Sequence, residues 1–541
     1  MVLSVLQNIV LVAFIVTSVI IIYKDRKLKM GIVVKDKDGF EYCDGSQGIY
    51  TTIGRDRHSD VYLKSKSISR LQALVRYDAE NQKFNLAEMS SKKGSCKEGY
   101  KIDDTTLTFQ IPPQNNFFEY GYMPFIMSVV FILLQAIAMY KEFASPFVMI
   151  PYGLLFAYMF FSFATRADKQ PITEGVFSML LTFYIESGMY YYGKDEELTH
   201  GVIYTFLGVL FYTVASLFMK YFLKMKPSKI YQHNDVRILC TVAILFLILI
   251  NVIFASNING AYNWVSFGPL SFQPGEIVKI LMLFVMVTPA NKVFYSFENL
   301  CFVIGVPAVS FVYAIAIRDI GLLLQLGAIF GISVLLQNEK ILYSILMIVA
   351  AIAGCKGVTY VSATAKSRLE GWMGESEGLF ECLTGNAAFE SPQEYGYQSI
   401  RSLIAAFENG GLFGNTEYDV LAGVEAANSD LVMAFISQRH GYLTMFLLLA
   451  LFGTLIFNTW FSLKQQDKYQ QTFSSIAMTL VVIAVLLNAL GTFAVIPLTG
   501  VVNPCLSYGI SASLCYGAIF GALSSSAISK EYLNQIKKGV N

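Results

Sequence analysis

Residues 428–457 read NSDLVMAFISQRHGYLTMFLLLALFGTLIF. An acid, Asp430, stands at the head of an apolar run long enough to cross a bilayer, which takes about 20 helical residues. The residues alone admit two readings of it. Asp is favoured at a helix N-cap, and its charge suits the helix N-terminus, so Asp430 is expected to cap the helix that follows. An acid at the mouth of a membrane span is equally the working group of a site that meets its ligand at the membrane surface. Glu425, five residues earlier, reads as a solvated loop acid.

The rest of the chain sets the context. Of 541 residues, 55% are hydrophobic and only 15% charged, against about 25% charged in soluble domains. This composition is that of a polytopic α-helical membrane protein. The net charge of +1 decides nothing, because distribution and not total charge orients a membrane protein. Eight scattered cysteines without a C-x-x-C pair and four dispersed histidines give no support to a zinc site or a disulfide framework. No nucleic-acid partner is expected.

Residues 1–23 form the first apolar stretch, and its positive charge, KDRKLK, follows it. A cleaved signal would carry that charge in front. The stretch therefore reads as an uncleaved anchor with its N-terminus outside and residue 24 onward in the cytoplasm. Residues 30–112 are polar, with alternating runs such as GIVVKD, DVYLKS, ALVRYD and KFNLAE broken by turn formers. They predict a small all-β sandwich on the cytoplasmic side. About twelve further spans follow, near 119–140, 145–164, 174–192, 201–223, 236–255, 273–290, 299–317, 320–337, 340–358, 430–457, 472–492 and 505–526. With simple alternation, the basic segments ATRADK, KMKPSK, PANK, NEK, KQQDK and the C-terminal tail all fall inside. Loops 256–272 and 359–429 then fall outside, and the second is far longer than an ordinary connection, which marks it as functional.

Several motifs lie on that outer side. In NWVSFGPLSFQPGEIVK (263–279), Gln273-Pro274 can start a helix, with Pro in its first turn. Glu276 and Lys279 then share a face, either as a snorkelling interfacial pair or as groups facing a cavity. Arg318-Asp319-Ile320-Gly321 puts opposite charges between two apolar runs, as a solvated turn also would. In YGYQSIRSLIAAFENGGLFGN (395–415) an amphipathic helix, with Gln398 and Ser402 on one face, ends at Gly410-Gly411. Residues 496–514, IPLTGVVNPCLSYGISASL, read as irregular backbone, which a membrane tolerates where it lines a cavity or is buried in protein.

Trp264 with QPGEIVK, RDIG, RLEGW (368–372), GYQSIRSL with GGLFG, NSDLVMAF and PLTGVVNPCLSYG occur in that order. This ordered set resembles the SEDS family (shape, elongation, division and sporulation: FtsW, RodA and SpoVE). The resemblance covers roughly residues 174–530 as a ten-span core, preceded by about three extra N-terminal spans. It implies a peptidoglycan glycosyltransferase that polymerises lipid II outside the membrane, beside a class B penicillin-binding protein. It places the family's essential acid on Asp430, suited to take the proton of an attacking sugar hydroxyl. Arg368 and Lys279, and less directly Arg318, become candidates to neutralise the pyrophosphate leaving group, a role that a divalent cation, Mg or Mn, also fills. Glu276, Gln273, Gln398, Ser402 and Ser507 become groove-lining groups. The chain departs from the family pattern at Gly275, where Ser is usual, at Gln438-Arg439, where two Glu are usual, and in the ending PCLSYGI.

The segment TIGRDRHSDVYLKSKSISRLQALV resembles the forkhead-associated (FHA) domain, a β-sandwich that binds phosphothreonine peptides. By that resemblance Arg55 and Ser69 contact the phosphate and Arg70 supports them, through charge-assisted hydrogen bonds. Gln72 stands where the family has His, and Lys93 where it has Asn. An FHA-like sandwich serving as a spacer or dock is the other reading. The two spans at 119–164 read as an added anchor with no partner signal. For the whole chain two alternatives stay open: a flippase or transporter of a lipid-linked precursor, and an inactive scaffold of the cell-wall machinery.

Overall fold

The structure is a computed structural model. It describes residues 2–27, 31–35, 41–44, 50–55, 59, 61–63, 68–78, 83–89, 100–102, 105–110, 117–164, 171–192, 198–225, 234–258, 261–267, 270–287, 301–338, 341–361, 366, 369, 397–415, 419–424, 427–463 and 468–524. Helix α1 (Val2–Lys27) precedes eight strands, β1 (Gly31–Lys35), β2 (Glu41–Asp44), β3 (Tyr50–Gly54), β4 (Val61–Tyr62), β5 (Ala73–Asp78), β6 (Lys83–Glu88), β7 (Tyr100–Ile102) and β8 (Thr105–Gln110). They form two four-stranded sheets, ordered β2-β1-β8-β7 and β4-β3-β5-β6, as the alternating runs predict. Ile53, Val61, Ala73 and Val75 are fully buried in the second sheet.

The helical part begins with α2 (Phe117–Phe143), α3 (Met149–Ala164), α4 (Pro171–Tyr192), α5 (Leu198–Met225) and α6 (Asn234–Phe254). The stretch expected as a loop at 256–272 is instead a small sheet, β9 (Ala255–Ile258), β10 (Ala261–Phe267) and β11 (Leu270–Phe272), with β10 central. Then come α7 (Pro274–Met286), α8 (Val306–Ala316, entered through a π-helical turn at Cys301–Gly305), α9 (Ile320–Asn338) and α10 (Ile341–Val361). The chain closes with α11 (Tyr397–Leu403, continued by a π-helical turn to Asn409), α12 (Val432–His440), α13 (Tyr442–Leu463), α14 (Lys468–Thr492) and α15 (Ile510–Ser524). Helices α1, α2, α5, α6, α13 and α14 hold stretches long and apolar enough to cross a membrane, and α3, α8, α9 and α15 hold shorter apolar ones. The protein is a multi-pass α-helical membrane protein.

Helix α4 is the hub. Apart from Glu174, every residue from Ile172 to Tyr190 is buried, as expected of a helix that is apolar all round. It packs against α2, α3, α5, α13 and α15. Lipid tails give helices no hydrophobic reason to associate, so close approach and internal polar bonds carry the packing. The α5–α15 seam shows the first. A Cβ on Gly517 or Gly521 would lie 2.5 or 2.1 Å from a carbonyl oxygen of Tyr212 or Ser216.

The helices expected as a plain added anchor show the second. Tyr158 and Ser162 of α3 meet the buried Glu174–Lys220 ion pair: Tyr158 donates to Glu174 at 2.7 Å, and Lys220 Nζ lies 2.8 Å from Glu174 and 3.0 Å from Ser162. Gln7 of α1 donates to Gln135 of α2, whose amide donates to Glu186 of α4 at 2.6 Å. Asn8 accepts a 2.8 Å bond from Thr444 of α13. The three N-terminal helices are thus bonded into the bundle.

The run 430–457, expected as one span, is two helices. Gly441 breaks it with φ 90°, and a Cβ there would lie 2.1 Å from the Leu412 carbonyl oxygen. The break lets the 410–415 turn cross it, with Tyr442 N–H bonding Gly411 O at 2.9 Å and Asn415 N–H bonding Gln438 O at 2.7 Å. Gly441→Ala faces both a left-handed backbone and a backbone clash, each a recognised source of large destabilisation. A loss of at least about 1–3 kcal/mol is expected, read as a lowered unfolding midpoint in detergent; an unchanged midpoint would contradict the break.

Candidate active site

A cavity of about 1520 Å³ opens where the irregular segments meet. Its wall takes Asn263 and Trp264 from β10, Gln273 from the head of α7, Arg318 and Asp319 from the α8–α9 turn, and Lys356 from α10. Asp419, Asn428, Ser429 and Asp430 enter from the chain before α12, and residues 496–500 and 508–512 from the chain before α15. The local chemistry explains each placement. Gln273 precedes Pro274, which opens α7, and its N–H bonds Ser511 Oγ at 2.9 Å. Asp319 caps α9 by accepting the Leu322 N–H at 2.8 Å. Its other carboxylate oxygen accepts from Asn263 and Gln273, each at 3.1 Å.

Asp430 is half-buried in this wall. It is not the N-cap expected from the sequence: α12 is preceded by Leu431 and has no side-chain cap. The main chain around Asp430 is held instead through three successive carbonyls. Asn428 O accepts from Ser187 Oγ at 2.6 Å and from Tyr508 N–H at 3.1 Å. Ser429 O accepts from Ser507 Oγ at 2.5 Å. Asp430 O accepts from Asn488 at 2.8 Å and Thr492 at 3.3 Å, and Asn488 also donates to Val501 O at 2.9 Å. Helices α4 and α14 and the segment before α15 thereby fix one short stretch of backbone. Such support from rigid neighbours gives a site its precision.

The structure brings Asp430 and Gln273 to the cavity wall, together with Arg318. It takes other candidates elsewhere. Lys279 is 1% exposed and spends its charge on Glu276 and Gln325, each at 2.7 Å. This pair lies behind the wall, where a void of about 20 Å³ touches Gln273, Glu276 and Asp319. Neither the snorkelling reading nor cavity exposure describes Lys279. The hydroxyl of Ser402 turns to Thr492 O at 2.7 Å and Ser399 O at 2.8 Å. Ser507 serves the carbonyl clamp, and neither serine lines the cavity. Gln398 is half-buried in α11 and also does not line it. Arg368 lies outside the described residues. Among the described residues, no group of three or more His, Cys, Asp or Glu is arranged to hold a metal ion.

Sequence reasoning missed Lys356, Asp419 and the wall aromatics Tyr190, Tyr191 and Phe435. It also missed the partners of Arg439 and His440. Arg439 Nε lies 2.9 Å from Glu186, and Arg439 Nη2 lies 2.6 Å from Glu142 of α2. His440 Nε2 lies 2.7 Å from Glu186. The Arg439 guanidinium stands 3.8 Å over the ring of Tyr190 and 5.8 Å from that of Phe435. A cation over these wall aromatics holds them by cation–π attraction. Both acids come from other helices, Glu186 from α4 and Glu142 from α2.

In the β-sandwich, Arg55 and Arg70 are exposed and Ser69 half-buried. Arg55 N–H bonds Ser69 O at 2.9 Å, which sets these residues side by side. Gln72, fully buried, accepts the Ser69 N–H at 3.1 Å and so orients the loop. Residues 90–99, including Lys93, lie outside the described residues, as does Asp60.

Two family models match separate stretches of the chain. The family model of the cell cycle proteins FtsW, RodA and SpoVE matches residues 174–532, and that of the FHA domain residues 51–110. A probable peptidoglycan glycosyltransferase FtsW of Taylorella equigenitalis is 24% identical over 359 residues, covering 63% of this chain and 89% of that protein. A probable FtsW of Helicobacter pylori is 25% identical, covering 62% and 90%. The peptidoglycan glycosyltransferase RodA of Mycobacterium leprae is 24% identical, covering 49% and 58%. Among solved structures, a chain of a peptidoglycan synthase complex that coordinates polymerization and crosslinking is 19% identical with a TM-score of 0.44, covering 64% and 96%. The rod shape determining protein RodA of Thermus thermophilus is 17% identical with a TM-score of 0.41, covering 67% and 97%.

Proposed function

The chain belongs to the FtsW, RodA and SpoVE family of cell cycle proteins, and from that membership we propose that it is a peptidoglycan glycosyltransferase polymerising lipid II. The observation that carries the reading is Asp430, set on a triply clamped backbone in the wall of the 1520 Å³ cavity. In this reading Asp430 is the base. It takes the proton of a sugar hydroxyl as that oxygen attacks the anomeric carbon, and undecaprenyl pyrophosphate departs. Arg318 and Lys356 of the same wall, and Arg368, offer positive charge to the leaving group. Lys279 acts at one remove, holding Glu276 and Gln325 behind Gln273.

The basic segments support a cytoplasmic β-sandwich and an outer loop 359–429, which would set the cavity at the outer leaflet where a lipid-tailed substrate can reach it. A class B penicillin-binding protein is the proposed partner for crosslinking. The sandwich is the proposed reader of a phosphothreonine protein, with Arg55 and Ser69 meeting the phosphate and Arg70 beside them.

Two experiments test these readings. Purified full-length protein in proteoliposomes is given labelled lipid II, with and without the partner. An enzyme consumes it and releases undecaprenyl pyrophosphate; a carrier moves it intact across the bilayer, and a scaffold does neither. For the sandwich, titration with a phosphothreonine peptide library should give saturable binding that Arg55→Ala weakens at least about tenfold, as expected for a lost charge-assisted contact. Equal binding of phosphorylated and unphosphorylated peptides would remove the phosphate-reading role.

A further inference from the structure

We propose that the cavity-facing ring of Tyr191 is a sugar-stacking subsite, taking the apolar face of one pyranose ring of a lipid-linked saccharide. The proposal rests on the glycosyltransferase reading and names a piece of its substrate site. Three tyrosines form a column that runs from the bundle core to the cavity. Tyr191 stacks on Tyr508 at 5.4 Å between centroids and 22° between planes, and Tyr508 stacks on Tyr184 at 5.7 Å and 28°. The inner end is rigid. Tyr184 is fully buried, meets the edge of Tyr212 at 5.0 Å, and its hydroxyl lies 3.0 Å from Ser513 Oγ. Gly188 lets the column close against α4, since a Cβ there would lie 2.8 Å from the Tyr508 ring.

The outer end is open. Tyr191 lines the cavity and is 56% exposed, while Tyr508 behind it is 9% exposed. The Tyr191 ring is therefore backed by Tyr508 while more than half of the residue's surface stays exposed at the cavity. A tyrosine held this way offers broad amphipathic area and loses little conformational freedom on binding. The C–H hydrogens on one side of a pyranose ring are weakly positive, and an aromatic face is negative. The column is also tied to the acid. The Tyr508 N–H bonds the carbonyl of Asn428, two residues before Asp430. A sugar seated on Tyr191 and a proton acceptor at Asp430 are thus referenced to the same clamped backbone.

An aromatic ring at a membrane surface also occurs as a simple interfacial anchor. The two roles part company when the sugar is removed from the ligand. The test uses the full chain in detergent on an Asp430→Ala background, so that ligand is not consumed. Lipid II and sugar-free undecaprenyl pyrophosphate are titrated separately. Tyr191→Ala should weaken lipid II binding roughly five- to tenfold and leave undecaprenyl pyrophosphate within about twofold, while Tyr191→Trp retains both. Equal weakening for the two ligands, or none for lipid II, overturns the subsite. So does a background protein that binds lipid II no better than undecaprenyl pyrophosphate. Polymerisation by the protein with Asp430 intact is measured beside it. Sugar-dependent binding through Tyr191 without any polymer would sink the enzyme reading and leave the subsite standing.

Discussion

Asp430→Ala is expected to yield a folded protein whose polymerisation is slower by about two to four orders of magnitude, the usual contribution of a positioned general base. The separation of folding from activity follows from how Asp430 is held. Its ties to Asn488 and Thr492 run through its main-chain carbonyl, which alanine retains. The neighbouring anchors at Asn428 and Ser429 are likewise carbonyls and do not involve the Asp430 side chain. Thermal unfolding in detergent should therefore match wild type while glycan synthesis is lost. A variant that melts early would mean that the carboxylate has a structural task, and the loss of activity would then say nothing about proton transfer.

Glu186→Ala is expected to be the most destabilising single change considered, by about 3–5 kcal/mol, because it strips the carboxylate from the buried Arg439 guanidinium and leaves the His440 ring without its acceptor or donor partner. Glu186 accepts from Gln135 at 2.6 Å, pairs with Arg439 at 2.9 Å and meets His440 at 2.7 Å. Removing it leaves Arg439, among the described residues, Glu142 as its remaining acid, whose side chain is 41% exposed and so contributes less. It also cuts the chain of bonds that runs from Gln7 of α1 through Gln135 of α2 into the family core. The unfolding midpoint should fall sharply. Glu186→Gln, which keeps the shape and one acceptor, should fall less. A midpoint for Glu186→Ala near that of wild type would show that the N-terminal helices do not depend on this cluster.

The fold was legible wherever its cause is local. Alternating runs foretold the strands of the sandwich, and Gln273-Pro274 foretold the start of α7. The i,i+3 spacing of Glu276 and Lys279 foretold that they share a helix face, but not that they pair buried behind the wall. The break at Gly441 was hidden, because apolar residues on both sides of a lone glycine read as one continuous span and the turn that needs the gap lies at 410–415. The direction of a hydroxyl was equally hidden. Ser402 and Ser507 sit in polar motifs that suggest a groove, yet each answers a carbonyl, 90 and 78 residues away in sequence. Gln438-Arg439 looked like a lost acidic pair when read alone, yet Arg439 and the adjoining His440 both meet an acid. Their acid, Glu186, lies 253 and 254 residues earlier, and no local pattern joins them. Asp430 itself was legible through its place in an ordered motif set. What the sequence did not show is how its backbone is held.

The central claim is that the cavity wall around Asp430 performs glycosyl transfer. The most direct measurement gives labelled lipid II to purified full-length protein and to Asp430→Ala, each verified as folded by its melting transition, and resolves the products by length. Glycan chains from the wild type and none above background from the variant is the result predicted. Chains of equal length and yield from both proteins would contradict it.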